Sequence, residues 1–332
     1  MSEKWGVVAP KVRVTLPVRV DPTGRTGPTK AQAAGPSWTR TSPGHYVPSS
    51  VTPDLVEQRV VEQGARLRNG VVTGWAALRL FRAGYLDGLA RDGRTRLAVQ
   101  VAANGDRIRS STDVDVHRVS VDEADVVVRY GVRCATPERA LFDAMRWADS
   151  FEERVVAMDM AAAAELTSIR RTWTRVRGFR DVRDRALAVQ ALGWADEGAE
   201  SPQEVRLRLV WRRRFSWAAP LTNRTVLTRD GHRLGRPDMV SEALGMGAEF
   251  DGAEHRNRAR HRRDVRRLDD YQRAGLEIAT FVGADLDDED LVVDRLRATL
   301  RRVDPERRAW RLAPAGPSLD ERLDVRDHVR NL

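Results

Sequence analysis

The 332-residue chain carries 57 Lys and Arg against 48 Asp and Glu, a net charge of +9, with 41% hydrophobic and 32% charged residues. That balance excludes an intrinsically disordered chain and leaves room for two or three domains. No apolar run approaches the roughly 18–20 residues that span a bilayer, the start Met1-Ser2-Glu3-Lys4-Trp5 lacks the layout of a secretory leader, and the single cysteine, Cys134, excludes an internal disulfide or a cysteine-based zinc site, so the cytoplasm is the expected compartment.

Residues 1–50 are rich in Pro, Gly, Ser and Thr and predict a mostly irregular arm closed by a short strand at Gly44-His45-Tyr46-Val47. An α+β region is predicted over 51–195. Thr52-Pro53 and Thr136-Pro137 each place a capping threonine before a proline at the first helical position, so helices are expected after both. Arg96 to Val101 and Val114 to Tyr130 read as strands from their β-branched content, and 151–193 as charged helix. Asp196 to Glu200 has the composition of a linker. Residues 304–332, with Pro305, Pro314 and Pro317, predict a loosely structured tail.

The segment 196–303 has the clearest order. Ser201-Pro202-Gln203-Glu204 is a capping box with proline at the first helical position, opening a helix to about Phe215. A strand over 222–228, a tight turn at Arg229-Asp230-Gly231-His232 and a returning strand over 233–240 follow. Strand 246–250, a basic helix over 256–274, a buried strand over 277–282 and a helix over 287–302 complete the order α-β-β-β-α-β-α, an α/β unit with a mixed sheet.

Pro237-Asp238 falls on the second of these strands and Glu249-Phe250-Asp251 at the end of the third. Paired as a hairpin, these strands gather Asp238, Glu249 and Asp251 at one end, with 249 and 251 on one face. Carboxylates so gathered repel unless a cation joins them, and hard oxygen donors suit Mg2+ or Mn2+. Such an ion lowers the pKa of a bound water and neutralises charge on a phosphoryl group. Taken singly, each acid has an ordinary alternative, at a sheet edge or in a turn.

All three lysines, Lys4, Lys11 and Lys30, precede residue 31, and the later cationic side chains are arginines, a bias that a GC-rich coding sequence explains but that also suits phosphate recognition. Arg256, Arg260, Arg263 and Arg267 recur at i, i+4, i+7 and i+11 and share one helix face. That face either grips DNA phosphates or is solvated and offset by Asp264, Asp269 and Asp270. Val265, Leu268 and Tyr271 take positions suited to packing on the sheet. His255 suits acid/base or phosphate-orienting work, since an unperturbed histidine has its pKa near neutrality, or it is a surface residue opening the helix. Glu204 is explained by the capping box alone.

Ser201-Pro202-Gln203-Glu204, Gly235-Arg236-Pro237-Asp238, Glu249-Phe250-Asp251-Gly252-Ala253-Glu254-His255 and Arg263-Asp264-Val265-Arg266-Arg267 resemble the PD-(D/E)XK nuclease superfamily, in its very-short-patch-repair-endonuclease-like branch. The resemblance implies a restriction-endonuclease-like α-β-β-β-α-β core over 196–303 and a Mg2+- or Mn2+-dependent endonuclease acting on DNA through a metal-activated water. It implies Asp238 and Glu249 as metal ligands and Glu204 as an outer acid. Where the signature has lysine this chain has Asp251; in that branch an acid followed by glycine, with a histidine nearby, is usual. Further upstream, Trp38 to Val47, Val72 to Leu78 and Thr136 to Asp143 resemble AbiEi-type antitoxins and regulators, in which the first stretch closes a winged helix. Prolines and glycines in residues 18–37 break the helices that would complete one. Trp75, Leu78 and Leu80 are expected in the core, and Asp143 on a helix face without chemistry.

Two functions follow. One is the endonuclease. The other is a DNA-binding regulator or antitoxin-like protein, with a toxin or defence-system partner, that keeps an inactive nuclease fold as a phosphate-gripping platform. Neither involves a membrane, and the sequence leaves the oligomeric state open.

Overall fold

The computed structural model describes residues 7–52, 54–179, 182–215, 219–251 and 258–330. It divides into two units, Met1–Leu192 and Gly193–Leu332.

In the first unit β1 (Val18–Arg19), α1 (Lys30–Ala33), β2 (Trp38–Ser42) and β3 (His45–Pro48) precede residue 56. The strands form an antiparallel sheet ordered β1-β3-β2. Among the described residues α1, four residues long, is the only helix in this stretch, so the long helices with which a winged-helix module enters a groove are missing. Then come α2 (Val56–Gly64), β4 (Val71–Val72), α3 (Gly74–Leu80), β5 (Val99–Ala102), β6 (Val114–His117), β7 (Val126–Arg129) and β8 (Val132–Ala135), followed by α4 (Pro137–Arg146), α5 (Phe151–Ala163), α6 (Ile169–Val176) and α7 (Val182–Leu192). Residues 114–130 are thus two strands, and they lie at opposite edges of a mixed sheet ordered β6-β5-β4-β8-β7. A short 3-10 turn at Glu123–Asp125, capped by the Asp122 carboxylate, separates them. Tyr130 and Gly131 both take positive φ, 49° and 80°, as a two-residue type I′ hairpin between β7 and β8 requires.

Proline at the first position of α4 follows Thr136 as expected, whereas α2 starts later than Thr52-Pro53, with Leu55 as its cap. Trp75, Leu78 and Leu80 are buried, and so is Asp143, at 0% exposure. Asp143 accepts the Thr73 hydroxyl at 2.6 Å and lies 3.1 Å from Arg139 Nε and 3.2 Å from Arg146 Nε. It is a buried charge tying the start of α3 to α4.

The second unit opens on α8 (Pro202–Arg214), capped by Ser201 Oγ, which accepts from Glu204 N at 3.2 Å. Val205, Leu207, Leu209 and Trp211 are all buried, so α8 is covered on several sides. The elements after it are β9 (Leu221–Thr222), β10 (Val226–Thr228), β11 (Arg233–Gly235), β12 (Met239–Ser241), β13 (Met246–Asp251), α9 (Arg258–Arg273), β14 (Glu277–Val282), α10 (Glu289–Leu300), β15 (Trp310–Leu312) and α11 (Leu319–Arg330). The predicted hairpin is there, but each arm breaks in two. The outer halves pair across the turn and recruit β15 into a sheet ordered β11-β10-β15, while the inner halves enter a sheet ordered β14-β13-β12-β9. Pro237 has no N–H to give a ladder, and Asn223, at φ 50°, turns the chain between β9 and β10.

Residues 304–330 carry a strand and a helix where a loose tail was expected. β15 pairs with β10 at Leu227↔Arg311, and α11 buries Leu319 and Leu323. The prolines of this segment punctuate these elements without falling inside them. β14 alternates buried and exposed positions toward its end, so it is not buried on both faces.

Side chains alternate across the four-stranded sheet. Met239, Met246 and Ala248 pack with Leu207 and Trp211 of α8 and Val292 and Leu296 of α10. Val240, one residue along, packs with Tyr271 of α9, Leu276 and Trp310. One face therefore carries α8 and α10, the other α9, and the parallel β13–β14 pair is joined by the α9 crossover. Glu249 falls, by the same alternation, on the α9 face, where Arg267 meets it. No helix among the described residues is long and apolar enough to cross a membrane.

Candidate active site

β12 and β13 are antiparallel with Met239 opposite Ala248, Val240 opposite Gly247 and Ser241 opposite Met246. The ladder ends at Met239, so Asp238 reaches β13 through its side chain rather than as a paired strand residue. Asp238 lies just ahead of β12 rather than on it. Its Oδ2 accepts the Phe250 N–H at 2.6 Å, so the side chain stands in for a ladder carbonyl where Pro237 has interrupted the strand. Its own carbonyl accepts from Asn223 N at 2.9 Å.

Glu249 is held from α9. Arg267 Nη2 donates to Glu249 Oε2 at 3.1 Å, and the glutamate side chain is 12% exposed. Glu204 approaches from the first turn of α8. Its Oε1 accepts the Ser201 hydroxyl at 2.8 Å, and its Oε2 accepts Glu200 N at 2.8 Å and Asn223 Nδ2 at 2.7 Å. This differs from the reciprocal capping box expected there. The carboxylate takes the N–H of the residue before the cap and is drawn toward the sheet by Asn223.

The three acids feel one another. Burial, followed by the charge of Glu204, pushes the Asp238 carboxyl well above the ordinary carboxylate range; the Phe250 N–H opposes this, Glu249 adds to it and Arg267 opposes it. Burial likewise raises Glu204, against the hydrogen bonds from Glu200, Ser201 and Asn223, with the Glu200 charge adding to the rise. Like charges held in a partly dry place favour a cation. Hard carboxylate donors fit Mg2+ or Mn2+, which keep several waters and take one or two protein carboxylates. Among the described residues no group of three or more His, Cys, Asp or Glu side chains converges as a metal cage.

The other expected residues are distributed differently. Asp251 ends β13 and is exposed. His255 and Arg256 lie outside the described residues, and Arg260 and Arg263 fall on α9 with their side chains outside the described ones. Of the arginine face, Arg267 is seen to reach the acids.

Three residues that sequence reasoning left aside belong to the site. Arg236 makes a bidentate pair with Glu200, Nη1 to Oε1 at 3.1 Å and Nη2 to Oε2 at 2.5 Å. Asn223 joins Glu204, the Asp238 backbone and the Gly198 carbonyl, the last at 3.0 Å. The segment with linker composition is thus fastened to the loop that carries Asp238. Arg236 stood in the motif beside Asp238, but nothing local in the sequence points to a partner 36 residues away. The chain matches no protein-family model, no curated protein and no solved structure.

Asn223→Ala is expected to destabilise the protein by about 1–3 kcal/mol, because it strips a donor from a buried carboxylate and places alanine at positive φ. Chemical denaturation followed by tryptophan fluorescence checks this. An unchanged midpoint would show that Asn223 does not organise the acids.

Proposed function

We propose that the second unit is a metal-dependent DNA endonuclease with a restriction-endonuclease-like core of the PD-(D/E)XK kind. The observation that carries this reading is the partly dry pair Asp238 and Glu249, brought together where Asp238 Oδ2 takes the Phe250 N–H, with Arg267 of α9 on Glu249. The helix–strand order from α8 to β14, with a broken hairpin between them, supports it.

Asp238 and Glu249 would hold the Mg2+ or Mn2+ ion. Bound there, a divalent cation polarises a phosphoryl oxygen and lowers the pKa of a bound water. Glu204 adds negative charge beside Asp238 without needing to touch the ion. Arg267 supplies the positive charge next to the scissile phosphate that lysine supplies in the superfamily signature, and it neutralises Glu249 until DNA arrives.

A second reading rests on the same pair. With Glu249 already neutralised by Arg267, and with no lysine after Lys30, the unit could grip DNA phosphates without cutting, as a regulator or antitoxin-like protein. Supercoiled plasmid with Mg2+ or Mn2+ separates the two. Nicking or linearisation is expected from the wild type and not from Asp238→Ala or Glu249→Ala. Cleavage that survives both substitutions sinks the enzyme, and metal-independent binding without cutting establishes the regulator.

A further inference from the structure

The sheet ordered β11-β10-β15 has two unlike faces. Val226 and Trp310, with Leu234 and Leu312, pack into the core that holds Tyr271 of α9. Residues between them turn the other way. There the register sets Leu227 opposite Arg233 on one side and opposite Arg311 on the other. A bulge at this point lets Leu234 join the core while Arg233 stays opposite Leu227. One row across three strands therefore runs Arg233, Leu227, Arg311, with both arginines exposed and the leucine half-buried.

The charge of this face is uncompensated. Among the described residues neither the Arg233 nor the Arg311 guanidinium has a hydrogen bond or an ion pair. Arg311 Nη2 lies 3.6 Å from where a Cβ on Gly231 would stand, so its guanidinium reaches over the turn between β10 and β11. Arg229 of that turn donates to the Arg308 carbonyl and Arg224 to the Ala313 carbonyl, neutral acceptors that cancel neither charge. Residues 224–235 and 309–313 hold these four arginines and a single carboxylate, Asp230. That carboxylate is taken by the Thr228 hydroxyl and the His232 ring. Arg233 and Arg311 stand on strands about 9–10 Å apart, a spread of positive charge that suits a polyanion more than one small ion.

We infer that this face binds the backbone of duplex DNA, with Arg233 and Arg311 each neutralising one phosphate. The inference rests on the endonuclease reading only in taking DNA as the polyanion. A guanidinium meets a phosphate with two parallel hydrogen bonds, and duplex DNA offers one negative charge per roughly 1.7 Å of its axis. Contacts of this kind position the backbone and carry no base preference. They lie apart from Asp238 and Glu249 and need no metal ion.

The double variant Arg233→Gln, Arg311→Gln of the full chain tests it. Affinity for a short duplex oligonucleotide is read by fluorescence anisotropy over a series of salt concentrations, once in EDTA and once in Ca2+. The slope of log affinity against log salt is expected to become shallower by about 1.8, or 0.9 per phosphate. Affinity in 0.1 M salt is expected to fall roughly tenfold to a hundredfold, equally with and without Ca2+ and equally for two unrelated sequences. The melting temperature should hold, and the pair Arg233→Lys, Arg311→Lys should keep the wild-type slope. An unchanged slope in the glutamine pair, or a lysine pair that loses it, overturns the inference. So does a glutamine pair that melts several degrees lower, since the face is then engaged within the protein, and so does tighter binding to duplex RNA than to DNA. A wild type that binds DNA through this face but never cuts it sinks the endonuclease alone, whereas one with no affinity for DNA sinks both.

Discussion

Asp238→Asn is expected to abolish cleavage while making the metal-free protein more stable at neutral pH. Substituting a group that merely supports a metal ligand costs about 10–100-fold in affinity or activity, so loss of a ligand is expected to exceed roughly a hundredfold. The stability effect has the opposite sign because the folded carboxyl has a raised pKa, caused by burial first and then by the charge of Glu204. A carboxyl whose folded pKa exceeds its unfolded value, about 3.9 for aspartate, contributes stability that is complete below the unfolded value. That contribution is lost as pH rises through the folded value. Asparagine never ionises and can still accept the Phe250 N–H. The advantage of the variant should therefore be absent in acid and grow across the window between the unfolded and the raised folded value. Melting curves in EDTA, run from acid to mildly alkaline pH for both proteins, check it. A variant less stable than the wild type on the alkaline side would show that the Asp238 charge is already compensated within the protein. Adding Mg2+ should stabilise the wild type alone and release protons as it binds, because the ligand must be ionised.

Asp143→Ala, in the other unit, is expected to be among the most destabilising single changes in the chain. Asp143 is entirely buried and sits between Arg139 and Arg146, whose side chains are 9% and 6% exposed. The Arg146 contact is an ion pair rather than a well-aligned hydrogen bond, since its Nε has no directed acceptor. Arg146 is held further by the Trp147 ring, 4.4 Å from its guanidinium carbon, and by Asp184 at 3.3 Å. Removing the shared carboxylate leaves buried guanidinium groups short of a counter-charge and the Thr73 hydroxyl without its acceptor. Breaking a buried pair in this way costs about 3–5 kcal/mol. Equilibrium denaturation should show the loss as a lower midpoint for the transition that reports the first unit. A cost below about 1 kcal/mol would mean that both arginines reach water in the variant, as surface pairs do.

The order of elements in the second unit was legible because its signals are local. A serine cap and proline open α8, a glycine turn joins β10 to β11, and the period of 3.6 marks α9 and α10. The two acids could likewise be singled out, since Asp238 and Glu249 flank a predictable hairpin. What the sequence alone determined is this string of elements and the residue types available to them. Tertiary structure decided the rest. It split the hairpin between two sheets, put the Asp238 side chain on the Phe250 N–H in place of a strand carbonyl, and brought Arg267 across 18 residues to Glu249. It fastened Glu200 to Arg236 and made Asp196 to Glu200 part of the site, and it paired β15 with β10, giving structure to a segment whose prolines predicted none. Caps, turns and periodicity act within a turn or two of the chain, whereas burial, and the charge balance it forces on Glu204, Asp238 and Asp143, depends on which distant segments pack together.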